Sequence, residues 1–237
     1  MPHETEEFTT ELQKVSRSLV NRPSVVDNVE HFLREMITRG NLKLGQRIVE
    51  TRIARQLGIG QPAVREALKT LEAEGLVVRH PNRGCTVVEI SPKKLNRIFR
   101  LRIEWEALAV ELALEDWDEA KARKLRAAVE RLKRAAQSGD VIEYYRYDLE
   151  FHKTLWQLSD NPFLERALSQ ITIPLFAFAA ISRSARKEFD PKVDAKEHEK
   201  VALAVLSGDK GRAVETVRRE LEKFRETGLR LLAAAED

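Results

Sequence analysis

Residues 57–76, LGIGQPAVREALKTLEAEGL, read as a short loop followed by a helix with two unlike faces. Pro62 has a fixed φ and no backbone donor, which suits the first helical turn. Val64, Leu68 and Leu71 then recur at steps of four and three, the spacing of one apolar stripe. Gln61, Arg65 and Lys69 recur every four residues on another face, and Gly75 stops the helix. Anchored from behind, with amide and guanidinium groups in front, such a helix can lie in a DNA major groove and reach base edges. A solvated surface helix carries the same stripes, so the flanking segments decide.

Upstream, residues 24–39 form an amphipathic helix. Ser24 and Asp27 have the spacing of a capping box, and Val26, Val29, Leu33, Met36 and Ile37 share one face. Gly40 ends it. Residues 42–50 (LKLGQRIVE) read as a turn, and residues 50–57 as a second short helix with Ile53, Ala54 and Leu57 inside. Downstream, residues 76–90 (LVVRHPNRGCTVVEI) are two β-rich runs around a tip containing Pro81, Asn82 and Gly84. Three helices and a two-stranded wing make a winged helix-turn-helix. Arg83 stands at the wing tip, placed to touch a phosphate or the minor groove.

This segment resembles the DNA-binding domain of GntR-type transcriptional regulators. The resemblance lies in an L-x-x-G-x-x-(I/L)-x-E run, an LG turn, a P-(A/V)-V-R-E-A-L helix ending in L-E-x-x-G-L, and then N-R-G-x-x-V, in that order. It implies DNA contacts at Thr51, Gln61, Arg65 and the wing (Arg83, Gly84), with Lys69 on the same stripe. One position departs from the family pattern, because Gly60-Gln61 stands where Ser/Thr-Arg is usual. Glutamine pairs best with adenine and arginine with guanine. The operator is therefore expected to deviate from the family's usual short inverted repeat.

At 237 residues there is room for two modest cores. Residues 1–22 open with MPHETEEFTTELQ, polar and acidic with no secretory signal, and are expected to be a mobile arm. Residues 23–90 are the winged domain and 91–237 a second domain. No apolar run approaches a membrane span, so neither a membrane partner nor any compartment but the cytoplasm is expected. A single cysteine, Cys85, excludes an intrachain disulfide and a Cys-rich zinc finger; it reads as a small buried residue of the wing. The net charge of +3 is too small to mark a nucleic-acid binder. The DNA-binding reading rests on where residues stand.

Ser91-Pro92 marks the next boundary, an N-cap followed by proline at the first helical position. Everything after it reads as helix. Ile98, Leu101, Trp105, Leu108 and Leu112 alternate in steps of three and four, as do Ala122, Leu125, Val129, Leu132 and Ala136 after Asp118. Gly139-Asp140 breaks the chain, and a third helix runs to about Ser159. A fourth follows, kinked at Pro174, then helices over 191–206 and 209–232. Six helices without strands make an all-α bundle, so the whole chain is mainly α.

Several polar residues fall where this bundle should be apolar. Tyr145, Leu149, His152 and Trp156 share a stripe, and Val141, Tyr144, Asp148, Phe151 and Leu155 form the adjoining one. His198 lies on the inward side of its helix, Glu220 sits between Val217 and Phe224, and Arg102 lies between Ile98 and Trp105. Buried unpaired, these groups would be costly, so they should meet one another, a metal or a ligand. An aspartate and imidazoles converging from separate helices suit a divalent transition metal. Plainer readings stand beside this. A buried histidine is more often a hydrogen-bonded core residue. Asp148 with His152, and Arg102 with Glu106, could be simple intrahelical pairs. Glu220 could turn to Arg218, Arg219 or Lys223.

Residues 148–162 (DLEFHKTLWQLSDNP) and 197–209 (EHEKVALAVLSGD) resemble the two signature segments of the FCD domain, the ligand-binding half of FadR-type GntR regulators. Many such domains hold a metal with one Asp and three His, completed by a small carboxylate. The resemblance implies Asp148, His152 and His198 as ligands, with Glu220 standing where the fourth histidine falls. It leaves zinc, nickel or manganese as the metal. It implies Arg102 as a residue facing the effector, and Asn161 matches a further family position, where capping the following helix competes with an effector contact. The implied protein is a metabolite-responsive regulator, most relatives being repressors released by their effector. It would bind double-stranded operator DNA as a homodimer and answer to a small organic acid. Two other readings remain: a metal-dependent enzyme using the Asp/His cluster, and a DNA-binding protein whose helical domain only dimerises.

Overall fold

The computed structural model describes residues 24–80, 84–184 and 189–233. The first helix, α1 (Val25–Thr38), starts at a full capping box. The Ser24 hydroxyl accepts from the Asp27 N–H at 3.0 Å, and the Asp27 carboxylate accepts from the Ser24 N–H at 2.9 Å. Its buried face is Val29, Leu33 and Ile37. Then come β1 (Arg47–Ile48), α2 (Glu50–Leu57) and α3 (Gln61–Ala73), followed by β2 (Val77–His80) and β3 (Gly84–Val87). Val64, Ala67, Leu68 and Leu71 fasten α3 from behind.

The sheet has three strands in the order β1-β3-β2, all antiparallel. The expected two-stranded wing is thus extended by β1, which pairs Ile48 with Cys85. Two residues are too few to show alternation, so this strand read as turn. Cys85 is buried at 1% exposure, and burial pushes its thiol up to about 11, leaving it without a reactive thiolate.

The second domain is α4 (Pro92–Ala113), α5 (Glu119–Ser138), α6 (Val141–Gln157), α7 (Pro162–Ser184), α8 (Pro191–Leu206) and α9 (Lys210–Ala233). The hydroxyl of Ser91 and the carboxylates of Asp118, Asp140 and Asp190 cap α4, α5, α6 and α8. Ion pairs Lys210–Glu111 and Arg218–Glu104, with a hydrogen bond from Arg225 to Asn96, show that α9 lies antiparallel along α4. By length and composition α7 could cross a membrane, although no run of that kind was read in the sequence. Here it is a core helix that runs unbroken through Pro174, with Leu168 and Thr172 wholly buried.

One expectation about α4 is corrected. The stripe Ile98, Leu101, Trp105, Leu108 and Leu112 faces the bundle only in part: Ile98, Trp105 and Leu112 pack partly buried at the edge of the core, while Leu101 is 45% and Leu108 42% exposed. The inward face is Leu95, Phe99, Arg102, Glu106, Val110 and Ala113. This helix is apolar on two sides, and the polar pair Arg102 and Glu106 disguises the buried one.

The two domains touch at Gly75. Its φ is +74°, and a Cβ there would lie 2.8 Å from Pro174 Cα and 2.9 Å from the Ile173 carbonyl. The turn after α3 therefore sits directly on the α7 backbone. Gly75→Ala is expected to cost roughly 1–2 kcal/mol of left-handed strain and about 1–3 kcal/mol of overpacking. Gly58→Ala is the control, since Gly58 has φ +65° and nothing within 4 Å of a new Cβ. If both variants lose the same amount in thermal unfolding, Gly75 plays no part in docking.

Candidate DNA-reading face and effector site

Thr51, Gln61, Arg65 and Lys69 are all exposed in the winged domain. Glu50, at the start of α2, receives a hydrogen bond from Arg65 Nε at 3.2 Å and lies 3.5 Å from Arg79 Nη1. That acid joins the N-terminus of α2, where Thr51 stands, to the exposed stripe of α3. Lys69 pairs with Glu66 at 2.8 Å. Gly84 is exposed at the start of β3, and a Cβ there would lie 3.9 Å from Arg47 Nε. Arg47 is thus a cation beside the wing that sequence reasoning missed, because it sits in the unrecognised strand. Arg83 lies outside the described residues.

In the helical domain, Asp148 and His152 come from α6, His198 from α8, and Arg102 and Glu106 from α4. Asp148, His152 and His198 are 3–5% exposed, and one possible ligand atom of each lies within 4.8 Å of the others. Asp148 Oδ1 is 2.8 Å from His198 Nε2 and 3.6 Å from His152 Nε2.

Both imidazoles are oriented from behind. His152 Nε2 faces Arg102 Nη2 at 2.9 Å. A guanidinium can only donate, so the His152 proton sits on Nδ1 and is given to Glu106 Oε2 at 2.6 Å. His198 Nδ1–H donates to the Asp194 backbone carbonyl at 2.9 Å. This arrangement, with Nδ1–H tied to an acceptor and Nε2 turned to a shared centre, is how metal-binding histidines are held. Phe151 stands edge-on to both rings, at 5.5 and 5.4 Å between centroids.

The charges follow from these contacts. Burial would raise Glu106, but Arg102 and His152 hold it at about 2. Burial lowers His152, against the pull of Glu106, and so favours the neutral ring. Burial would also lower His198, but Asp148 outweighs it and raises the ring to about 9. Asp148 is lowered, with burial overcome by His198. Asp194 is raised, chiefly by burial; it accepts from the Tyr144 hydroxyl at 2.8 Å and lies 3.9 Å from Arg183. Asp194 and Arg183 were not foreseen. The available signal for Asp194 was its place one helical turn before His198.

Two candidate site residues take the plainer of the readings open to them. Glu220 is buried, but its carboxylate accepts from Lys223 Nζ at 2.9–3.0 Å and from Arg219 Nε at 3.2 Å. It does not join the group formed by Asp148, His152 and His198. Phe224, one turn further on, packs against the His198 ring at 5.2 Å instead. Asn161 does not line the cavity. Its side-chain oxygen caps α7, accepting from the N–H groups of Phe163 and Leu164 at 3.2 and 3.1 Å. The same residues explain both outcomes: each carboxylate or amide is taken by donors on its own helix.

Arg102, Asp148, His152 and His198 open onto a cavity of about 940 Å³. Asp148 Oδ1 is buried there without an aligned hydrogen bond from any described residue, despite its 2.8 Å contact with His198. A carboxylate oxygen and two imidazole nitrogens thus lie within 4.8 Å of one another, a donor set that suits a cation, with the Arg102 guanidinium now holding the His152 nitrogen.

Residues 97–223 match the FCD domain, and residues 25–87 match the bacterial regulatory proteins of the gntR family. The chain belongs to the GntR family. This GntR protein is 32% identical over 140 residues to the HTH-type transcriptional regulator YdhC of Bacillus subtilis, a match covering 59% of the chain but only 62% of YdhC. It is 30% identical over 150 residues to the HTH-type transcriptional regulator McbR of Escherichia coli, 63% of the chain and 68% of McbR. The solved E. coli McbR/YncC structure superposes with a TM-score of 0.63 at 23% identity, covering 91% of this chain and all of that one. The HTH-type transcriptional repressor NanR of Enterobacter is 28% identical over 173 residues, 63% of the chain and 66% of NanR. These relatives are DNA-binding transcriptional regulators and not enzymes, which removes the metal-enzyme reading.

Proposed function

We propose that this GntR protein is a cytoplasmic, dimeric operator-binding repressor whose helical domain takes an organic acid at a metal-ready Asp/His site. The observation that carries this is the convergence of Asp148, His152 and His198 in a cavity that also holds Arg102. Asp148, His152 and His198 would hold a divalent transition metal. The cation would supply a Lewis-acid centre for a carboxylate oxygen. Arg102 supplies the complementary donors. Its guanidinium lies between the Phe99 and Phe176 rings, 5.4 and 5.0 Å from their centroids, and bonds Glu106 at 2.5 Å. An anion here would meet a planar donor already oriented by its neighbours. NanR, by its name a repressor, supports that sign.

The dimer reading rests on the outward stripe of α4. Ile98, Leu101, Trp105, Leu108 and Leu112 follow the three-four spacing of a helix–helix seam, and among the described residues none covers Leu101 or Leu108. A second copy of α4 suits it, and a two-fold protein suits a two-fold operator. The double substitution Leu101→Glu, Leu108→Glu is expected to weaken dimerisation by about a thousandfold or more. Analytical ultracentrifugation checks this, and a variant that stays dimeric at low concentration would place the interface elsewhere.

Selection of DNA from a random pool by the full-length protein tests the function, repeated with organic acids and after chelation. The expected result is an enriched inverted repeat whose recovery falls when acid is added. Recovery that ignores both acid and chelator would leave a domain that only dimerises.

A further inference from the structure

We infer that the winged domain forms one wall of the effector cavity, and that the effector is an acid with a bulky, ring-bearing apolar body touching both domains. This rests on the acid reading above and goes further in naming the shape of the ligand. The cavity measures about 940 Å³, towards the upper end of the roughly 300–1,000 Å³ range of drug-sized ligand sites. An acid of two or three carbons would leave most of it filled with water against apolar walls.

The fully buried charged and polar groups of the lining are Arg102, Asp148, His152 and His198, gathered at one end. From there α9 leads away. Phe224 packs on His198, and Gly228 and Leu232 follow one and two turns later, all lining the cavity. That run spans roughly 12 Å. Along it α4 contributes Phe99 and Leu95, and α7 contributes Phe176 and Phe178. Flat aromatic walls favour a flat or branched apolar body. Gly228 leaves the room: a Cβ there would come 3.1 Å from a Leu95 methyl.

The far wall belongs to the other domain. Leu42, Leu44 and Ile90 line it, with Arg39, Lys43 and Glu89 beside them. Ser182 on α7 lines the same space, and its buried hydroxyl has no hydrogen-bond partner among the described residues, so it offers a donor to a substituent on the body. The nearby seat of Gly75 on Pro174 shows that the domains are already in contact. A ligand spanning the seam has contacts that depend on how the domains meet. It therefore binds the docked and undocked arrangements with different affinity, which is what control of DNA binding requires.

The test titrates the full-length protein, by calorimetry, with acetate as a head-only probe and 4-phenylbutanoate as a bulky one. The wild type is expected to bind 4-phenylbutanoate about a hundredfold more tightly than acetate. Leu44→Ala, in the winged domain, should weaken 4-phenylbutanoate about five- to tenfold and leave acetate unchanged. Gly228→Leu, a change that favours helix, should abolish 4-phenylbutanoate binding and keep acetate. Retained acetate binding shows that each variant is folded. Equal affinity for the two acids overturns the inference. Tight 4-phenylbutanoate binding that ignores Leu44 confines the body to the helical domain and overturns the shared wall. Binding of neither acid would defeat the acid reading itself.

Discussion

Arg65→Ala is expected to lower affinity for the selected operator by about a hundredfold or more, with little change in stability. Arg65 stands in the middle of the exposed stripe of α3, and its side chain is 53% exposed. A two-pronged arginine–base contact contributes roughly 1–3 kcal/mol of discrimination, and a two-fold dimer loses it twice. Its pairing with Glu50 is at the surface, where such pairs contribute about 0–1 kcal/mol. A gel-shift or fluorescence-anisotropy titration at two salt concentrations separates the possible outcomes. Loss of sequence preference with an unchanged salt slope means a base contact. A uniform loss across sequences with a shallower slope means a phosphate contact. Unchanged affinity would show that α3 docks by another face.

Asp148→Ala is expected to reduce metal uptake to less than about a tenth of an equivalent and to destabilise the chelated protein by roughly 3–5 kcal/mol, the cost of leaving a buried charge without its partner. That corresponds to a fall in thermal midpoint of about 10 °C for a chain of this size. The pH dependence gives the mechanism. His198 is raised to about 9 in the fold, so its contribution is complete below its ordinary value of 6.5 and disappears as pH rises through about 9. Asp148 is lowered from 3.8, so its contribution is present above that value and disappears as pH falls below it. The gap between wild type and variant should therefore be widest from about pH 4 to neutrality and close above about pH 9. A gap independent of pH would mean that Asp148 serves only packing. Full metal uptake by the variant would refute the ligand assignment.

Much of the architecture was legible because helices and turns are local. Ser24 with Asp27, Ser91 with Pro92, and Asp118 and Asp140 announce helix starts through their own short-range bonds. Gly139 and Gly208 take left-handed φ values at the breaks between helices. The buried polar residues of α6 were legible too, since Asp148 and His152 interrupt an apolar stripe at a one-turn interval. Glu220 was half legible. Its burial followed from Val217 and Phe224, but its partners Lys223 and Arg219 were also one turn or less away, and nearby donors captured it.

By itself, then, the sequence determined the order of the helices, the winged domain, the exposed polar stripe of α3, and the inward placement of Asp148, His152, His198 and Arg102. Tertiary structure alone decided which apolar side of α4 is buried, because a helix that is apolar on two faces does not name the one its neighbours cover. It alone brought Asp148 Oδ1 to 2.8 Å from His198 Nε2 and put Glu106 behind His152. It alone placed Leu42 and Leu44 on the same cavity as Phe224. Those distances depend on how α4, α6, α8 and the winged domain cross, and period and capping describe each helix only along its own axis.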